Sequence, residues 1–114
     1  MVEDSGASFK PREAESVEVV SLMDNSVDFL STVRREDVKN VREWMKEYRH
    51  LPMAEHGFSM LVRVSDGSKV HNILFDTGGS SNGVVVNARR MGIDLSKIEC
   101  IVLSHGHYDH FAGL

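Results

Sequence analysis

Cysteine is almost missing from this sequence: Cys100 is the only one, and that excludes an internal disulfide framework. It lies in the apolar run Ile98-Glu99-Cys100-Ile101-Val102-Leu103, where a small buried side chain is expected rather than a nucleophile. Positive charge is also scarce. The 13 Lys and Arg are outnumbered by 17 Asp and Glu, for a net charge of −4. Phosphate-binding surfaces need clustered Lys and Arg, so a nucleic-acid partner is disfavoured. Long apolar runs are lacking, and nothing approaches the roughly 18 residues of a membrane span. The first residues are acidic and polar, so no signal peptide is expected and a cytoplasmic location is the default. No internal repeat is present, and the only low-complexity stretch is the Gly/Ser-rich segment 77–83.

What is present reads as one small α/β unit of 114 residues. Residues 1–15 are polar and aperiodic and are expected to form a flexible leader, with the folded unit spanning 16–114. Residues 17–23 are β-branched and imperfectly alternating, which predicts a strand ended by the turn chemistry of Asp24-Asn25-Ser26. Val38, Val41, Trp44, Met45 and Tyr48 recur at three- and four-residue steps and predict a helix over 36–49 with a charged, solvated outer face. Lys39–Glu43 and Glu43–Lys46 are possible ion pairs on that face. Residues 58–64 and 69–76 flank an Asp66-Gly67 turn and predict a hairpin. The segment 77–83 is expected to be a flexible loop, followed by a helix carrying Val84, Val85, Ala88 and Met91 and stopped at Gly92. After a capped turn at Asp94-Leu95-Ser96-Lys97, residues 99–103 predict a strand buried on both faces. The order is α/β layering around a central sheet.

That last strand runs into Ser104-His105-Gly106-His107-Tyr108-Asp109-His110, in which four metal-competent side chains fall within six residues. Imidazole nitrogens suit Zn²⁺, Fe or Mn, and a carboxylate adds a charged oxygen ligand. His105 and His107 are one residue apart, so an extended backbone points both toward one ion. Gly106 lets the chain turn between them. Asp109 and His110 diverge in an extended chain, but a turn there lets both serve a second ion, the layout of a two-metal site about 3.5–4 Å across.

This motif, followed by Gly113-Leu114, resembles the signature of the metallo-β-lactamase-fold superfamily. Phe75-Asp76-Thr77-Gly78 is similar to its strand-ending Asp-Thr-Gly. Residues 92–98 and 101–105 are similar to its approach to the metal loop. Asp24-Asn25 and Glu55-His56-Gly57-Phe58-Ser59 resemble more narrowly the metal-dependent hydrolases that include dihydropterin–ribofuranosylaminobenzene phosphate synthases.

The resemblance implies the N-terminal half of an αββα sandwich, with a mixed sheet and flanking helices. It implies His105 and His107 as ligands of one metal and Asp109 and His110 as ligands of a second. The metals would be two zinc ions, or Mn or Fe. Asp109 would also orient the bridging hydroxide or assist proton transfer. Asp76 would hold a ligand histidine, although from residues alone it reads equally as a turn-forming strand end. His56 and Tyr108 are candidates to line the pocket; a loop histidine is more often simply solvated. His50 and His71 carry no signal.

The implied activity is metal-dependent hydrolysis of a small-molecule ester, phosphoester or related substrate by an activated metal-bound water. Alternatives are a pterin-related synthase or a non-catalytic metal-binding half-domain. A nuclease of the same superfamily is disfavoured by the acidic balance. The superfamily's remaining ligands lie downstream of the motif. The chain therefore reads as a fragment, inactive alone. Its exposed core would be covered by a missing C-terminal half or by self-association.

Overall fold

The computed structural model describes residues 6, 8–32 and 34–114, so the expected leader over 1–15 falls partly outside the described residues. The elements are β1 (Ser16–Met23), α1 (Val41–Tyr48), β2 (Ser59–Ser65), β3 (Val70–Phe75), α2 (Gly83–Arg90), a 3-10 turn (Leu95–Lys97), β4 (Cys100–Val102) and α3 (Tyr108–Phe111). The strands form one mixed sheet in the order β1-β2-β3-β4. The first three pair antiparallel, and β4 joins β3 in parallel through α2, as the wide spacing between β3 and β4 requires.

Strand alternation divides the sheet into two unlike faces. Val20, Leu61, Leu74 and Ile101 lie opposite one another in register and share one face. Val20, Leu22, Leu61 and Leu74 are buried there with Val84 and Ala88 of α2 and with Met23, Met91 and Ile93. Asn87 of α2 is buried in this core. Its Nδ2 donates to Leu22 O and Met53 O at 2.8 Å each, and its Oδ1 accepts from Met53 N at 2.8 Å. These bonds meet the requirement that a buried amide find partners, and they pin the 50s segment to β1 and α2. The other face carries Val17, Val19, Val62, Ile73 and Val102, with Val17 and Val19 more than half exposed.

Three expectations need correction. The 36–49 helix begins only at Val41, because Asn40 caps it: its side chain accepts from Glu43 N at 3.2 Å while Glu43 Oε2 accepts from Asn40 N at 2.8 Å. Glu43 is thereby used as a cap, and Lys39 pairs instead with Glu47 at 2.7 Å. The segment 77–83 is tied down by hydrogen bonds from three directions (below). The 99–103 strand is shorter than expected and not buried: Cys100 is exposed, and Ile101, Val102 and Leu103 are each more than 40% exposed. Its apolar composition reads as interior, but β4 is the sheet's last strand and nothing among the described residues lies beyond it.

Candidate metal centre

The site grows from the end of β3. Asp76 follows Phe75 with φ 58°, a left-handed backbone that Asp tolerates better than most residues. Its N–H donates to Val102 O at 2.9 Å, continuing the β3–β4 pairing. Its side chain is fully buried. Oδ1 accepts from Ser104 N at 2.7 Å, and Oδ2 is 2.6 Å from both Ser104 Oγ and His110 Nδ1. Burial pushes the Asp76 carboxyl up, but the bonds from Ser104 and His110 outweigh it and hold the group below the usual carboxylate range. Asp76 thus both turns the chain at the end of the strand and hydrogen-bonds a motif histidine, His110.

β4 ends at Val102 and releases the histidine loop. His107 takes the N-cap position of α3 with extended backbone, and the chain then coils through Tyr108–Phe111. His105 Nε2 lies 3.1 Å from His107 Nδ1, and the His105 and His110 ring centroids are 4.1 Å apart. The turn of α3 brings Asp109 Oδ2 within 3.4 Å of His110 Nε2. The same oxygen is 3.4 Å from Nε2 of His56, whose side chain is otherwise largely exposed. Tyr108 is exposed, its ring 6.1 Å from that of His56. The five predicted residues His56, His105, His107, Asp109 and His110 thus gather above Asp76. His71 lies at the other end of β3, where its Nδ1 is 2.8 Å from Glu99; that contact and Lys69 hold the Glu99 carboxyl below its ordinary range.

Backbone contacts hold this cluster in place. Phe58 N donates to Asp109 O at 3.1 Å, Thr77 N to His110 O at 2.7 Å, and Ala112 N to Gly78 O at 3.1 Å. The chains approach so closely that a Cβ on Gly57 would run into Gly79 N, one on Gly79 into His56 O, and one on Gly113 into Thr77 O. Glu55 completes the clamp, accepting from Gly79 N at 3.0 Å and from the Ser80 hydroxyl at 2.7 Å. Sequence reasoning assigned no role to Ser104, Glu55 or this glycine set. Their one sequence signal was position: Ser104 directly precedes the first motif histidine, and Glu55, Gly57 and Gly79 lie within segments already singled out.

The donor set fits a divalent cation as pairs. Two nitrogens sharing one tetrahedral Zn²⁺ at about 2.0–2.1 Å stand roughly 3.3 Å apart. The His105–His107 separation is 3.1 Å, and the Asp109–His110 and Asp109–His56 separations are 3.4 Å. Among the described residues, no group of three or more His, Cys, Asp or Glu side chains is arranged to hold one ion.

A mixed sheet with flanking helices, delivering a clustered histidine loop braced by a buried carboxylate, defines a class. A sequence model of the metallo-beta-lactamase superfamily matches residues 53–114, more than half of the chain. The chain belongs to that superfamily, and its sheet and helices are part of that fold.

Among curated relatives, it is 36% identical over 61 residues to a 7,8-dihydropterin-6-methyl-4-(beta-D-ribofuranosyl)-aminobenzene-5'-phosphate synthase of Methanocaldococcus jannaschii. It is 43% identical over 61 residues to an uncharacterized protein of the same organism. Each match covers 54% of this chain and 21% or 22% of the relative, so the chain spans about a fifth of the length of the curated relatives it matches. The narrower resemblance drawn from the sequence agrees with the first of these. No helix among the described residues is long and apolar enough to cross a membrane.

Proposed function

We propose that this chain supplies the N-terminal metal-binding part of a metal-dependent, hydrolase-type enzyme that acts in the cytoplasm on a small molecule carrying an ester, phosphoester or related bond. The observation that carries this reading is the placement of two donor pairs, His105/His107 before α3 and Asp109/His110 on it, in one segment braced by Asp76. His105 and His107 would hold one divalent ion, and Asp109 and His110 a second, with zinc the first candidate and Mn or Fe alternatives. Bound there, such ions lower the pKa of water and polarise a substrate oxygen. Asp109 Oδ2, midway between two imidazole nitrogens, is the group we assign to accept a proton, and His56 and Tyr108 line the approach. Two donors per ion leave each shell open, so turnover by these residues alone is expected to be slow or absent.

One observation favours a second reading. The relative named as a dihydropterin–ribofuranosylaminobenzene phosphate synthase supports condensation of a pterin with a phosphate-bearing partner at the same site. Isothermal titration with Zn²⁺ and Mn²⁺ tests what both readings share. We expect binding by the wild type and its loss in His105→Ala/His107→Ala; equal metal uptake by the two proteins would refute the proposal. Assay of the active enzyme with phosphoesters and with a pterin plus an aminobenzene riboside phosphate then separates hydrolysis from synthesis.

The apolar sheet face bearing Val17, Val19, Val62, Ile73 and Val102 is the surface we assign to the remainder of the sandwich or, in the isolated chain, to a second copy.

A further inference from the structure

We infer that Ser104 is a positioning residue that sets which nitrogen of His105 carries the proton, and so which lone pair this histidine offers to a cation. The inference rests on the metal-binding reading above. It follows from counting protons around Asp76. A carboxylate only accepts hydrogen bonds, and Ser104 Oγ sits 2.6 Å from Asp76 Oδ2, so the single hydroxyl proton must point at Asp76. With the hydroxyl reversed, two oxygen lone pairs would face each other at that distance. Ser104 Oγ is also 2.8 Å from His105 Nδ1. Having given its only proton to Asp76, it can engage His105 only as an acceptor. His105 therefore carries its proton on Nδ1, and its lone pair is on Nε2, the atom that faces His107.

His110 reaches the same state by a direct route. Its Nδ1 is 2.6 Å from Asp76 Oδ2, with Ser104 Oγ farther away at 3.4 Å. The proton therefore sits on Nδ1 and the lone pair on Nε2, the atom nearest Asp109. One buried carboxylate thus orders two histidines: His110 by contact, and His105 through the Ser104 hydroxyl. The Ser104 N–H on Asp76 Oδ1 at 2.7 Å fixes the serine for this task. His107 is left as donor into His105 Nε2, so joint use of both nitrogens by one ion requires His107 to carry its proton on Nε2. Such supporting partners are a general device for fixing the tautomer and direction of a ligand histidine.

The test is long-range ¹H–¹⁵N NMR of the metal-free full chain at pH 8, a method that distinguishes the two neutral tautomers from each other and from the charged ring. In the wild type, His105 and His110 are both expected as Nδ1–H tautomers. Ser104→Ala is expected to shift His105 toward Nε2–H while His110 stays as it was, and Ser104→Thr, which keeps the hydroxyl, restores His105. Competition titration should show Zn²⁺ affinity falling about tenfold in Ser104→Ala and returning in Ser104→Thr. An Nε2–H tautomer on His105 in the wild type overturns the inference, and that measurement needs no variant. An unchanged Nδ1–H on His105 in a folded Ser104→Ala protein also overturns it. Wild-type protein with the expected tautomers but no Zn²⁺ uptake upholds the Ser104 assignment and refutes the metal reading. Zn²⁺ uptake with His105 in the Nε2–H form does the reverse.

Discussion

Asp76 shows how much one side chain does here. It ends β3, accepts three hydrogen bonds in a fully buried position, and holds a left-handed backbone. Asn keeps the shape and tolerates the same φ, so Asp76→Asn isolates the charge. We expect it to lower stability by about 2–3 kcal/mol, as for loss of hydrogen bonds to a buried charged group, read by urea denaturation of metal-free protein. The pH dependence has a definite sign. The folded carboxyl lies below its ordinary value of 3.8. Its stabilisation is therefore present above that value and lost as pH falls through the lower folded value. Wild type should lose more stability between neutral pH and pH 3 than Asp76→Asn does. The paired comparison removes the contribution of Glu99, whose carboxyl His71 and Lys69 also hold down. A pH profile of identical slope in the two proteins would show that Asp76 is not the group responsible.

At this scale the candidate donor cluster was legible in the sequence, because His105, His107, Asp109 and His110 are near neighbours in the chain. Asp76 lies 28 residues from Ser104 and 34 from His110; the resemblance implied a histidine partner for it, but neither which histidine nor the part of Ser104 was legible.

At the scale of elements, the helix stop at Gly92 was read well, and the start of α1 and the 77–83 segment were not. The stop at Gly92 is an αL position, φ 68°, and an added Cβ there would collide with the ring of Tyr48. Gly92→Ala should therefore cost about 1–2 kcal/mol from backbone conformation, plus displacement of Tyr48 and the end of α1, measurable as a lowered Tm with reduced Trp44 fluorescence change on unfolding. Buried Asn87 belongs to α2 but stabilises what α2 touches. Asn87→Ala leaves Met53 N–H and two carbonyls without this partner and should cost about 2–4 kcal/mol. A loss below 1 kcal/mol would show that water replaces the amide. The start of α1 was misjudged because Val38 continues the apolar period, whereas the capping box of Asn40 and Glu43 decides where helical bonding begins. The Gly/Ser-rich segment 77–83 looked flexible because its residues permit many conformations. Glu55 and the backbone of residues 110–112, distant in sequence, select one.

For the whole molecule, the decisive fact is that one sheet face is covered by α2 and the other is not. In sedimentation velocity the isolated chain is expected to self-associate, and Val19→Glu, on the uncovered face, is expected to shift it toward monomer. A wild-type chain that is monomeric at micromolar concentration and melts cooperatively would refute this assignment of the face. Hydropathy could not reveal the exposure of β4, because Cys100, Ile101 and Val102 have the composition of an interior strand whether or not a neighbour is present.

By itself the sequence determined the order of the elements from β1 to β4, the hairpin, the helix stop at Gly92 and the clustering of donors within six residues, but not the helix α3 that carries Asp109 and His110. All of these depend on residues within a few positions of each other, where periodicity and turn chemistry act. Only the tertiary structure decided that Ser104 bridges Asp76 and His105 while His110 meets Asp76 directly, that Gly57, Gly79 and Gly113 admit three backbones into one clamp, and that β4 lies at an edge. Those outcomes are set by distances between segments remote in the chain, and no local pattern encodes such a distance.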